Sequence, residues 1–151
     1  MQKIKETLYK LCLSFIEQRI QTAETALQQA REASNDDTKS SAGDKYETSR
    51  EMMQQDIDRN KRLLMDAQEN MRVLKSVDIT TEKYERVRHG SLVITSQGMF
   101  YISVSAGHLV AEGKDVFAIS PASPIGKLLL DKKVGETFSF NSKNYKIEDI
   151  V

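Results

Sequence analysis

From Lys3 to about Ala33 the chain contains neither Gly nor Pro, and its apolar residues recur at steps of three and four. Two such series share the stretch. Ile4, Leu8, Leu11 and Phe15 form one; Leu13, Ile16, Ile20, Ala23, Leu27 and Ala30 form the other. They overlap near residues 11–16, which predicts a helix buried there on more than one side. Beyond Ile20 only a narrow stripe of mostly small residues remains, as a two-helix seam requires. Ala, Leu, Gln and Glu dominate the stretch, and all are good helix formers.

The pattern breaks at Ser34–Asp44, where Ser, Asn, Asp and Gly collect. These side chains compete for local backbone hydrogen bonds, and the segment reads as a turn. A second helix is predicted from about Lys45 to Lys75, again without Gly or Pro. Its seam runs Tyr46, Arg50, Met53, Ile57, Asn60, Leu64, Ala67, Met71 and Leu74, stepping four and three alternately. Two helices of roughly 30 residues, rising about 1.5 Å per residue, give an antiparallel hairpin about 45 Å long. Residues 1–76 are therefore expected to form an antiparallel coiled-coil hairpin.

After Val77 the periodicity changes to short β-branched or aromatic runs. These are Val87, Leu92–Ile94, Phe100–Val104, Val116–Ile119, Thr137–Phe140 and Tyr145–Ile147. Glycines and Asn141 separate them, and His89 and His108 each fall beside a Gly in a predicted turn. Ser123-Pro124 reads as a helix N-cap followed by Pro at the first helical position, opening a short helix through Leu130. Residues 77–151 are expected to be a small antiparallel sheet with one short helix laid on it. The fold class is α+β.

Composition narrows the function. The 151 residues carry 22 Lys+Arg against 22 Asp+Glu, so no net basic field exists to hold nucleic acid by counterion release. The balance is thirteen against thirteen before Ser76 and nine against nine after it. A protein partner is favoured over direct nucleic-acid binding. Cys12 is the single cysteine, which excludes an intrachain disulfide, and its apolar neighbours predict a buried thiol. Lys10 interrupts the only apolar run near the start, so neither a signal peptide nor a membrane span is read, and a cytoplasmic protein is expected.

Candidate chemistry is sparse. Gly126-Lys127 lacks the upstream Gly and following Ser/Thr of a phosphate loop, and predicts instead a helix start packed close to a strand. No catalytic triad and no set of metal ligands assembles around either His. Between Glu32 and Asp58, eight acids stand against Lys39, Lys45 and Arg50, a net charge of −5 at the turn. Carboxylates there suit a hard cation such as Mg²⁺ only if another molecule completes the oxygen shell.

The block Ser120-Pro-Ala-Ser-Pro-Ile-Gly-Lys127, followed by Leu129-Leu130, Lys133-Val-Gly135 and Tyr145-Lys-Ile147, resembles the C-terminal domain of the bacterial Gre transcript cleavage factors. Val87-Arg-His-Gly-Ser91 upstream is similar as well, and Tyr46-Glu-Thr-Ser-Arg-Glu51 resembles the start of the family's second helix. The resemblance implies an FKBP-like domain, residues 77–151, that docks at the rim of the secondary channel of core RNA polymerase. Ser120, Pro121, Ser123, Pro124, Ile125, Gly126 and Lys127 are its implied polymerase-binding residues. The hairpin would enter the channel, and tip carboxylates would help hold a second Mg²⁺ shared with the polymerase. The polymerase itself would then hydrolyse backtracked RNA near its 3′ end. The chain would be an accessory factor rather than an enzyme, and a monomer.

At the tip the sequence departs from that pattern. Registered on Tyr46 and Arg50-Glu51, the family's two acids fall at Lys39 and Ala42, neither of which binds a metal cation. Asp36, Asp37 and Asp44 flank these positions and are the remaining candidates. A factor that occupies the channel and regulates without cleaving is the alternative. Two other classes are a prolyl isomerase, for which the half has few aromatics, and a coiled-coil assembly protein that dimerises through its hairpin.

Overall fold

The computed structural model describes residues 2–37, 43–77 and 83–151. Two long helices, α1 (Gln2–Asp37) and α2 (Gly43–Lys75), precede six strands. These are β1 (Leu92–Thr95), β2 (Gly98–Ile102), β3 (Gly107–Ala111), β4 (Lys114–Ile119), β5 (Thr137–Phe140) and β6 (Lys143–Ile150), with α3 (Pro124–Leu129) between β4 and β5. The expected α+β class, a helical hairpin with a small sheet and one short helix, is what the chain adopts. Packing divides it into two compact units, Ile16–Met71 and Met1–Phe15 with Arg72–Val151. Helix α1 thus contributes to both.

In the first of these units the seams follow the predicted steps. Ile16, Ala23 and Leu27 on α1, and Ile57, Asn60 and Ala67 on α2, are buried. Met53 and Leu64 are half-buried, whereas Arg50, read as a seam position, is exposed. Its cation gains more from water than from a narrow apolar stripe. Asn60 stays in the seam because its Nδ2 donates to the Asp56 carbonyl of its own helix at 2.9 Å, so burial leaves that donor satisfied. Helix α1 also outlasts its predicted end near Ala33 and includes Ser34–Asp37. Once a helix of this length exists, each added residue gains a hydrogen bond without a new nucleus, and modest propensity does not stop it.

The sheet of the second unit has the order β3-β4-β2-β1-β6-β5. It is antiparallel except for one pair: β2 and β4 run parallel, with Phe100 opposite Phe117. That exception, and β3 itself, correct the sequence reading, which had an antiparallel sheet and placed His108 in a turn. After β2 the chain crosses to the edge, forms β3, and returns through Glu112 and Gly113, both at positive φ, to insert β4 between β3 and β2. His108 lies within β3, with Nε2 2.7 Å from Asp115 Oδ1.

Alternation along the strands gives the sheet two buried faces. Val93, Phe100, Ile102, Tyr145, Ile147 and Ile150 join Val87 and Leu129 of α3 in one apolar cluster. The opposite face holds Leu92, Tyr101 and Ser103, and the first turns of α1 lie on it. There Cys12 Sγ sits 3.7 Å from Ser103 Oγ, and Lys5 Nζ donates to Val151 O at 3.2 Å. Lys5 and Cys12 are both buried.

His89 is in a turn, as expected, but is half-buried rather than solvent-exposed. Burial pushes its imidazole pKa down, and a hydrogen bond to the Ser103 backbone opposes the shift. Its Nε2 is buried without a partner among the described residues. The unfolded chain, with His near 6.5, therefore binds a proton before the folded chain does. The stabilising contribution is fully present above about pH 6.5 and is lost as pH falls through the depressed folded pKa. Thermal unfolding between pH 5 and 7.5 should show a steeper loss towards acid for the parent than for His89→Gln. Parallel curves would remove His89 from the linkage.

Candidate functional site

The Ser120–Lys127 block folds into a compact knot at the end of β4. Ser120 begins it: its Oγ accepts from Ala122 N at 3.1 Å, and its carbonyl accepts from both Ser123 N at 3.0 Å and Ser123 Oγ at 2.6 Å. Ser123, in an extended conformation, is the N-cap of α3, and its Oγ accepts from Gly126 N at 3.1 Å. One serine hydroxyl thereby closes the preceding turn and opens the helix. Pro124 occupies the first helical position, where it has no N–H to leave unsatisfied. A Cβ at position 126 would run into the Ser120 carbonyl oxygen and lie 2.8 Å from Ser123 Oγ. Glycine is required there for close approach rather than for backbone freedom.

The other segments that carry the family resemblance meet at the far end of α3. Val87 N donates to Lys132 O and Asp131 N donates to Val87 O, both at 2.9 Å. Arg86 Nη1 reaches Asp131 O at 2.9 Å, and Gly135 N donates to Ile147 O at 2.7 Å. Val87–Ser91, Lys133–Gly135 and Tyr145–Ile147 are thus bound into one framework around α3. Most of these residues build the surface rather than form it.

What the knot presents to solvent is a smaller set. Pro124 and Lys127 are exposed; Ser120, Pro121, Ser123 and Ile125 are half-buried; Gly126 is buried. Leu128 is 36% exposed and Val134 54%, while Leu129 is fully buried. The sequence reading did not separate these leucines, because a Leu-Leu-Leu run marks no face by itself. The surface is a short apolar and cationic strip, with no acid–base pair and no nucleophile.

The acidic candidates belong to the other unit. Asp36 and Asp37 are the last two residues of α1, and Asp44 is the second residue of α2. Lys39 and Ala42 lie outside the described residues. Further along α2, Glu47, Arg50, Glu51 and Gln54 line a shallow concavity of about 320 Å³. Among the described residues no group of three His, Cys, Asp or Glu side chains converges, and no helix is long and apolar enough to cross a membrane.

No protein-family profile matches the chain. No curated protein matches it either. Among solved structures it is similar to one described as the structure of the transcription factor Gfh1, at 20% identity over 93% of this chain and 94% of that one, with a TM-score of 0.41.

The knot makes a graded prediction. Ser123→Ala removes a cap and should cost about 1 kcal/mol. Gly126→Ala must displace backbone as well and should cost roughly 2 kcal/mol or more. Urea unfolding of both variants checks the order, and a Gly126→Ala protein as stable as Ser123→Ala would contradict the close approach.

Proposed function

We propose that this chain is an accessory factor of bacterial RNA polymerase that binds the core enzyme at the rim of its secondary channel, with the hairpin entering the channel. The observation that supports it most is the knot. The resemblance residues Ser120–Lys127 fold as one capped, glycine-dependent helix start, in a chain that also carries a hairpin with a narrow two-sided seam. The strip of Pro124, Lys127 and Leu128 is the docking surface in this reading. It offers an apolar contact and one cation, a composition suited to a protein partner.

Transcript cleavage is the second part of the proposal. In this reading the polymerase would carry out the hydrolysis, and its own Mg²⁺ would supply Lewis-acid chemistry. The contribution of this chain is oxygen ligands, for which Asp36, Asp37 and Asp44 are the candidates, since Lys39 and Ala42 offer none. Lys39 would bring a positive charge to the same region and oppose cation binding there. Occupancy of the channel with weak cleavage is therefore the expected activity.

Two measurements test the two parts separately. The chain should co-elute with purified core polymerase at about one to one, and Lys127→Glu should weaken binding about tenfold, roughly 1.4 kcal/mol, with an unchanged circular-dichroism spectrum. Failure to co-elute would end the polymerase reading. In an assay on backtracked complexes, cleavage should be slow and should fall further in the combined Asp36→Ala, Asp37→Ala, Asp44→Ala protein. Robust cleavage that survives all three substitutions would sink the role of these carboxylates.

A further inference from the structure

The two faces of the sheet are closed by different chemistry. On the α3 side, Val93, Phe100, Ile102, Leu129 and Ile147 form an apolar cluster. On the α1 side, Ile4, Leu8 and Leu92 are buried together with polar groups, one of which is left without a partner among the described residues. Tyr101 is fully buried, and its hydroxyl has no hydrogen-bond partner among the described residues. Burial raises its pKa, and the nearby Cys12 and Tyr9 raise it further. Cys12 Sγ and Ser103 Oγ share a hydrogen bond at 3.7 Å, a weak one because sulfur is a poor donor and acceptor.

A buried donor or acceptor without a partner gives up its water and receives nothing in return, and re-exposure restores what was lost. Opening of the α1 face hydrates the Tyr101 hydroxyl. Opening of the α3 face gains nothing comparable, because the cluster is apolar. Local opening in proteins follows such differences in contact quality.

We infer that the first turns of α1, through Phe15, form a releasable cover on the Leu92–Tyr101–Ser103 face, lifting from it while the sheet and the α3 cluster stay folded. The Cys12 thiol reports the release, because it is buried in the closed state and is the only cysteine in the chain. This inference is independent of any polymerase partner.

Labelling of the full-length protein with an excess of aromatic disulfide reagent, followed across low urea concentrations, tests it. The labelling rate should depend on urea far less steeply than global unfolding does, since release exposes only part of the buried surface. Tyr101→Phe keeps the ring and removes the unsatisfied hydroxyl, and should slow labelling about tenfold. Leu129→Val weakens the opposite face in closed and released states alike. It should lower the global midpoint and leave labelling without urea unchanged within about twofold. Labelling that tracks global unfolding in urea would overturn the inference. So would a Tyr101→Phe protein that labels as fast as the parent, or a Leu129→Val protein whose labelling accelerates in proportion to its lost stability.

Discussion

From Phe100 onward β2 has no solvent side. Phe100 and Ile102 belong to the apolar cluster, Tyr101 and the following Ser103 to the opposite face with its buried polar groups, and all four are buried. Everything in that unit answers to this constraint. A strand buried on both faces needs a cover on each, and the chain supplies α3 from one side and the beginning of α1 from the other. The neighbours of β2 are fixed as well: β1 leads into it by a tight turn, and β4 lies on its other edge with β3 outside it.

Double-sided burial also explains where the sequence could be read and where it could not. The two helices were legible because steps of three and four persist over thirty residues, long enough for one seam to stand out. The overlap of two apolar series near residues 11–16 had a physical meaning, since α1 passes there from one compact unit to the other. Strand β3 was not legible. Leu109, Val110 and Ala111 lie between Gly107 and Gly113, and an edge strand with most of its residues exposed gives little alternation. Lys5 was not legible either, because a buried lysine depends on acceptors such as Val151 O, 146 residues away.

The site divides in the same way. The knot was readable from local chemistry, as Ser-Pro is a helix start and the Gly two residues later has a packing reason. What the knot presents outward was not, because exposure is decided by which leucine of three faces β-sheet neighbours. Asp36, Asp37 and Asp44 are candidates only because they flank Lys39 and Ala42 in the register of the resemblance, a weaker guide than geometry. The motif residues turn out to be chiefly builders: Ser120, Ser123 and Gly126 bond or contact each other, and Val87 and Gly135 bond the strands and turns around α3. A sequence block can therefore mark an architecture while only two or three of its side chains face solvent.

The meeting of Lys5 with Val151, and of Leu92 with Val151 by two backbone hydrogen bonds at 2.9 Å, bears on how the chain reaches this structure during synthesis. The hairpin seam joins residues within about fifty positions of one another, and can form as soon as α2 has left the ribosome. The sheet unit cannot follow. Its β1 waits for β6, and Ile4, Leu8 and Cys12 of α1 have no surface to cover until the strands through Ser103 and the residues up to Val151 have emerged. Contacts of such sequence separation carry the largest closure cost and form slowly. The opening turns of α1 are made well before the strands they cover, and their apolar stripe has no surface to meet in that interval.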